Sequence, residues 1–387
     1  MASRWQQQAS ELKSKAIQHS LFDSVNSQSW LKAGELADSA IGADGTSLWQ
    51  HQAWAYSMLG RLDLVREMER RGFLPFFPAP CGTEPSLSEE KIIEEIVSRA
   101  KSTRVVILQE LHAFAHHRLL LHHLLPALHA IGYRTLAAED FRGTPEPYGA
   151  ITHPGQVSGF HSVREPVFAD AIRKALALGY ALVPYEVDFP PPPSVEPKDW
   201  QQWREERQAE NLAERILRKD KTARVLVFAG TNHGQEVAIQ GYRPMGLILR
   251  EKTGVNPLSI DQSICRLESR SESSAGMIEQ PNGDGTPSGY DVRVALRTSR
   301  FVEQRPEWLR SLARVDVELR SGFRSGSEPI VVESRLLSEP PESPPVDRVY
   351  LGRGERLPLL LPPGSFRVTV HTRRGSRSYT QTVGGEP

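Results

Sequence analysis

The amino-acid sequence predicts an α/β fold: a mostly parallel central sheet flanked by helices, with a helical region before it and a β-sandwich-like domain after it. Three observations predict this. Short apolar runs alternate with helix-period segments through the middle of the chain, the signature of βαβ units. The N-terminal region carries helical spacing only, and the C-terminal region short alternating strands only. The length, 387 residues, exceeds what one ordinary core organises.

Residues 1–80 read as a helical region. Trp30, Leu31, Ala33, Leu36, Ala37 and Ile41 keep helical spacing, and Leu48, Ala53, Tyr56, Leu59, Leu62, Val65 and Met68 continue it, punctuated by Gly45 and Gly60. The stretch LWQHQAWAYSMLGRLDLVREMERRG has the form of one tetratricopeptide-like hairpin. A single repeat of that kind cannot bury its own faces. The region is therefore read as a cap packed on the next domain, with docking of a peptide or protein partner as the alternative. The proline-rich stretch LPFFPAPCGTEPS closes it.

Residues 85–263 supply the α/β domain. KIIEEIVSRAKS is an amphipathic helix behind Ser88 and Glu90, and strand RVVIL (104–108) follows. A helix from about 114 to 131 turns Leu120, Leu121, Leu124, Leu125, Leu128 and Ile131 to one side, and Gly132 ends it. Strand TLAA (135–138), a helix over about 165–178 stopped by Gly179, strand ALVPY (181–185), a bridge opened by PPPP (190–193), a helix over about 199–219 and strand RVLVFA (224–229) come next, before PMGLILREKTG and NPLSID. Residues 264–289, rich in Ser, Gly and Glu, read as a linker. Residues 290–387 read as a β-rich accessory domain: YDVRVALRT, RVDVELR, PIVVESRLL, RVYL, PLLLP, FRVTVHTRR and RSYTQTV. The first of these also qualifies as the last strand of the α/β sheet.

Composition narrows the function classes. Hydrophobic content of 39% and charged content of 24% fit a soluble globular protein. Lys+Arg and Asp+Glu both number 47, which gives no electrostatic case for nucleic acid or an anionic membrane. Cys81 and Cys265 form neither a disulfide framework nor a zinc pattern and are read as reduced thiols. With a polar N-terminus and no apolar run of membrane-spanning length, the expected location is the cytoplasm.

The chemistry follows the strands. RVVIL leads into Gln109-Glu110-Leu111-His112, TLAA into Glu139-Asp140, ALVPY into Glu186 and Asp188, and RVLVFA into Gly230-Thr231-Asn232-His233. In a parallel sheet these strand ends share one edge, and open α/β sheets bind ligands there. Clustered carboxylates repel and resist desolvation, so their convergence points to a cation, a shared proton or a catalytic task. Glu110, His112, Glu139 and His233 are the candidate metal ligands. His and carboxylate ligands without Cys suit Mn, Fe, Co or Zn, and such an ion generates hydroxide near neutral pH. A metal-free Glu–His pair taking a proton from water is the alternative.

Three further groups are candidates for the shell around that cluster. His116 and His117 fall in the first turn after the first strand and border the expected cleft. His122, His123 and His129 lie further along and read as ordinary helix residues, although such a tract is also able to hold metal or haem. Arg204, Arg207 and Asn211 sit at i, i+3 and i, i+4 spacings on one helix, where an Arg orients carboxylates or holds a substrate anion; a solvated charged helix is the alternative. Glu165 opens a helix as a candidate site residue or as a dipole partner.

These motifs resemble one superfamily, which joins the erythromycin esterases, the ChaN-like haem-binding proteins and the Tiki/TraB metalloprotease-like proteins. Its marks are a G-E-x-H motif after the first strand, a Glu after the second, a helix bearing Arg and Asn, and a later G-x-x-H. Here they read Q-E-L-H (109–112), Glu139, R-E-E-R-Q-A-E-N (204–211) and G-T-N-H (230–233), with HHR at 116–118 and the endings RPMGLILR and SIDQ also similar. The resemblance covers about residues 95–263. Gln109 departs from the pattern by replacing its first Gly, which reads as a narrower or differently shaped pocket. The resemblance implies a hydrolase of an ester, lactone or amide bond, in which Glu110 and His112 activate water, His233 ligates or carries a proton, Glu139 and Glu186 complete the shell and Arg204 orients a carboxylate or steadies an oxyanion. The alternative it permits is a haem or iron binder with Tyr185 and the histidines as axial ligands, or a peptide-modifying metalloenzyme. The expected substrate is a small molecule or a peptide.

Overall fold

The computed structural model describes residues 2–40, 46–72, 79–80, 87–142, 151–157, 161–187, 191–263, 265–266, 274–278, 289–295 and 299–384. Asp188, Cys81, the Cys265 side chain and most of the 264–289 stretch lie outside what is described.

The strands of the middle region are apolar along most of their length and almost wholly buried, as strands covered on both faces must be, with polar residues confined mainly to their ends. They are β1 (Val105–Glu110), β2 (Thr135–Ala138), β3 (Ala181–Pro184), β4 (Val225–Gly230) and β5 (Leu258–Asp261). A further strand, β6 (Val292–Ala295), adds parallel to β5. The parallel order is β6-β5-β1-β4-β2-β3, and Ser274–Ile278 then Leu87–Ser88 extend the β6 edge antiparallel. YDVRVALRT therefore contributes its strand to the central sheet, and the accessory region begins after it.

Alternation along each strand divides the core in two. Val106, Leu108, Leu136 and Phe228 meet the helices Glu89–Ala100, His117–Ala130 and Pro166–Ala177 on one face. Val105, Ile107, Ala137 and Val227 meet Trp200–Leu212 and Met245–Thr253 on the other. The strand predicted at 104–108 runs on to Glu110, so its acidic residue is held by the ladder opposite Gly230.

Among the described residues, four helices precede the sheet: Ala2–Asn26, Trp30–Ser39, Thr46–Met58 and Leu62–Arg70. Their apolar faces pack together with Val331 and Tyr350 of a C-terminal four-stranded antiparallel sheet built from Ile330–Leu336, Asp347–Leu351, Gly364–Thr372 and Gly375–Val383. A Cβ at Gly34 would collide with the Tyr350 ring, so glycine sets that close approach. Arg348 stacks 3.8 Å from the Trp30 ring and donates to Met58 O at 2.8 Å. No helix among the described residues is long and apolar enough to cross a membrane.

Candidate functional site

At the carboxyl edge of the sheet, β4 lies between β1 and β2, so Gly230 sits between Glu110 and Glu139. A Cβ on Gly230 would stand 2.7 Å from His112 Nε2 and 3.0 Å from Glu139 Oε2. Glycine here is a steric requirement of the cluster. Asn232, at φ +78°, takes the left-handed conformation that Asn tolerates better than most residues, and the chain then brings His233 back over the sheet edge.

Two arginines, Arg118 buried and Arg204 half-buried, each hold two carboxylates. Arg118, wholly buried, donates Nε to Glu110 Oε2 (2.8 Å), Nη2 to Glu110 Oε1 (3.0 Å) and Nη1 to Glu165 Oε2 (2.9 Å). Arg204 donates to Glu139 Oε1 and, through Nε (3.0 Å) and Nη2, to Glu186 Oε2. Gln208 Nε2 donates to the same Glu186 oxygen at 2.9 Å. Glu139 Oε2 also accepts the Gly230 N–H at 2.6 Å. These are the desolvated, charge-assisted contacts that hold a carboxylate in one orientation.

Two Glu–His pairs complete the cluster. His112 Nδ1 lies 2.8 Å from Glu110 Oε1, leaving Nε2 as its second ring nitrogen, and its side chain is 41% exposed. His233 Nδ1 lies 2.8 Å from Glu205 Oε1, while its Nε2 faces Arg204 Nη1 at 3.3 Å and Glu139 Oε1 at 3.7 Å. Burial opposes charge on His112, but the hydrogen bond to Glu110 and the charges of Glu139, Glu110 and Asp140 outweigh it, raising the imidazole from 6.5 to about 9. Burial likewise opposes charge on Glu110, yet Arg118 and His112 lower it to about 2. His233 is raised by Glu139 and Glu205 against its own burial. Asp140 is the exception: burial, with Glu139 and Glu110 nearby, pushes it up to about 6.

A cavity of about 640 Å³ opens above this cluster, with Glu110, His112, Glu139, Asp140, Arg204 and His233 among its polar lining and Phe22, His51 and Trp54 of the N-terminal helices on its other side.

Several expectations change at this point. Arg204 occupies the space between Glu139, Glu186 and His233, so the four-residue metal set does not form. Among the described residues, the group able to offer three ligand atoms within 4.8 Å of one another is Glu110, His112 and Asp140. Arg207 is exposed: the inward stripe of its helix runs through Arg204, Glu205, Gln208 and Asn211, and Arg207 falls on the solvent side of it. Asn211 donates to Tyr185 O at 2.8 Å and steadies the strand end. Tyr185 is wholly buried and donates its hydroxyl to Phe228 O at 3.2 Å; burial, with Glu139 and Glu186, raises it well above 10. His116 stacks on Trp308. His117 stacks on Phe114 and accepts the Leu111 N–H at 3.0 Å, pinning the loop that carries His112. The axial haem ligands expected among Tyr185 and these histidines are committed to packing. Glu165 caps its helix, accepting from Val167 N and Phe168 N, and reaches the cluster through Arg118. Gln109 points to the opposite face of the sheet, accepting the Gly234 N–H at 3.0 Å, and does not narrow the cavity.

Arg118, Glu205, Gln208 and Asp140 were absent from the predicted set. Arg118 lay within the HHR segment and Asp140 beside Glu139, so both carried a signal. Glu205 and Gln208 carried one only through their spacing from Arg204.

No family model matches the sequence, and no curated protein matches it. Among solved structures, the chain is similar to the type III effector HopBA1, at 13% identity and a TM-score of 0.36, covering 58% of this chain and 98% of that one. It is similar to a structure described as bacterial protein toxins, at 12% identity and a TM-score of 0.31, covering 57% of this chain and 48% of the other. A third similarity is to the C-terminal region of Pasteurella multocida toxin, described as having a thiol-protease like catalytic triad, at 13% identity and a TM-score of 0.32, covering 91% of this chain and 58% of that one. These likenesses are too distant to say anything about the chemistry of this chain.

Proposed function

We propose that this protein is a hydrolase of an ester, lactone or amide bond that works by general acid–base catalysis at the Glu110–His112 pair. The observation that carries the reading is the orientation of His112. Its Nδ1 is taken by a buried carboxylate, its Nε2 is left for a substrate or water, and its ring is the exposed member of an otherwise buried cluster. That arrangement fixes the tautomer and direction of a base that takes a proton from water or a hydroxyl. His233 and Arg204 meet at 3.3 Å. With His233 held as imidazolium, both atoms are donors, suited to the negative oxygen of a tetrahedral intermediate. Glu139 and Glu186 hold Arg204 at that position, and Glu205 does the same for His233. The motif resemblance to the erythromycin esterase superfamily points to the same reaction class.

Asp140 supports a metal-assisted variant. It is 6% exposed and forms no side-chain hydrogen bond among the described residues, while it stands within ligand range of His112 and Glu110. Together these would hold a divalent ion, which supplies a coordinated water of lowered pKa.

The test is an ester, lactone and amide panel assayed with and without chelator, alongside elemental analysis of the purified protein. His112→Ala should lose at least 100-fold in kcat/KM. Full activity in that variant would end the proposal, and chelator-resistant activity would end the metal-assisted variant.

A further inference from the structure

The acid–base groups occupy only one side of the cavity. The other side comes from the N-terminal helices, and it is aromatic. Phe22 follows Leu21 on helix Ala2–Asn26. Leu21 and Val25 are buried in the helical core, at 0% and 1% exposed, whereas Phe22 is 37% exposed and lines the cavity. On helix Thr46–Met58, His51 and Trp54 are three residues apart and so share a face. That face meets Phe22. The Phe22 ring stands 5.8 Å from His51 edge-on and 6.1 Å from Trp54, tilted by 35°. A single exposed aromatic would mean nothing. Three rings in mutual contact, with Gln50, Ala53 and Phe114 also on the lining of the same cavity as His112, make a largely aromatic panel beside the charged cluster.

We infer that the N-terminal helices form a binding subsite for a flat aromatic group, so that the substrate is a small ester, lactone or amide carrying such a group beside its reacting carbonyl. The inference rests on the acid–base reading for the reacting end, while the binding half stands on the aromatic panel alone. Two features choose the class. The volume, about 640 Å³, is that of a small-molecule site, where apolar walls carry affinity and a few polar groups orient the ligand. The panel rings are mutually tilted and edge-on, the geometries in which an added ring finds both faces and edges to pack against. The helical region then serves as part of the site itself.

The experiment uses the full chain and a non-hydrolysable probe, 2-naphthamide, with acetamide as the control, titrated by calorimetry. Wild type should bind 2-naphthamide at least tenfold more tightly than acetamide. Phe22→Ala and Trp54→Ala should each lose at least tenfold for 2-naphthamide, and Trp54→Phe should keep most of it. Trp54 also packs against the helical core, so if its Ala variant fails to fold, the exposed Phe22 decides. His112→Ala should bind the probe as wild type does. Kinetically, Phe22→Ala should raise KM for phenyl esters at least tenfold more than it raises KM for methyl esters. Equal probe affinity in wild type, Phe22→Ala and Trp54→Phe, or no binding by wild type at millimolar probe, would overturn the inference. Binding without hydrolysis would leave this subsite standing and remove the hydrolase reading. Methyl-ester hydrolysis without probe binding would do the reverse.

Discussion

Replacing Arg118 by Met tests the electrostatic logic of the site more directly than removing a reacting group. The guanidinium is 0% exposed and shared between Glu110 and Glu165, at 1% and 3% side-chain exposure. Without it, two carboxylates face one another in a desolvated space, a situation that costs about 3–5 kcal/mol when one partner of a buried pair is removed. Glu110 alone gives a similar figure. Its fall from 4.5 to about 2, at about 1.36 kcal/mol per pH unit, corresponds to about 3 kcal/mol. Because the folded value is depressed, that stabilisation is complete above about pH 4.5 and disappears as the pH falls towards 2. Urea denaturation followed by circular dichroism should therefore show Arg118→Met less stable by about 3–5 kcal/mol at pH 7. The gap to wild type should narrow below pH 4.5. The double variant Arg118→Met/Glu110→Gln should recover at least half of the loss, because the stranded charge is gone. A loss under about 1 kcal/mol at pH 7, or a double variant that is simply additive, would refute this account of what holds Glu110 in place.

Four other outcomes follow from the geometry. His112 has a folded value raised from 6.5 to about 9, so its stabilising contribution is full below 6.5 and is lost as pH rises through 9. As a general base it should make kcat/KM climb with pH towards a plateau near 9, and a flat profile from pH 6 to 10 would exclude that role. Gly230→Ala places a methyl 2.7 Å from His112 Nε2; it should cost about 1–3 kcal/mol in stability and about 100-fold in kcat/KM, measured by denaturation and steady-state kinetics. Gln109→Ala strands the buried Gly234 N–H and should cost about 1–3 kcal/mol with KM unchanged, since its side chain faces away from the cavity. Arg207→Ala, on the exposed side of its helix, should stay within about 0.5 kcal/mol of wild type and keep full activity in the same assays.

The central sheet could be read in the sequence because the strands are apolar throughout and end abruptly in charge. The central residues of RVVIL, TLAA, ALVPY and RVLVFA are buried on both faces, so little but the segment ends is free to be polar, and Glu110, Glu139, Glu186 and His233 follow those ends. The convergence of these four needed only the parallel direction of the strands. What neutralises them was harder to read. The sequence supplies Arg204 and Arg207 at equal face value, and only the docking of helix Trp200–Leu212 on β3 and β4 decides that Arg204 turns inward beside Glu205 and Gln208. The histidine run drew the reading towards metal or haem. In the fold it is Arg118, the basic residue next to it, that enters the cluster, while His116 and His117 lock the loop by stacking and by a backbone hydrogen bond.

The least legible part was the other wall of the cavity. Phe22 differs from Leu21 by one position on the same helix, and helical periodicity alone cannot tell which of the two faces a partner element. That depends on the angle at which the helical layer meets the C-terminal sheet, and the angle is set by long-range contacts: the bare Cα of Gly34 against the Tyr350 ring, Arg348 stacked on Trp30, and Arg61 bonded to Glu355 at 2.7 Å. These contacts join the two ends of the chain and leave the aromatic face of helices Ala2–Asn26 and Thr46–Met58 over the carboxyl edge of the sheet. The C-terminal sheet therefore acts on the site without lining it, by fixing the layer that carries Phe22, His51 and Trp54. A cavity with charge on one side and rings on the other is a property of that docking, and no segment of the sequence, taken alone, encodes it.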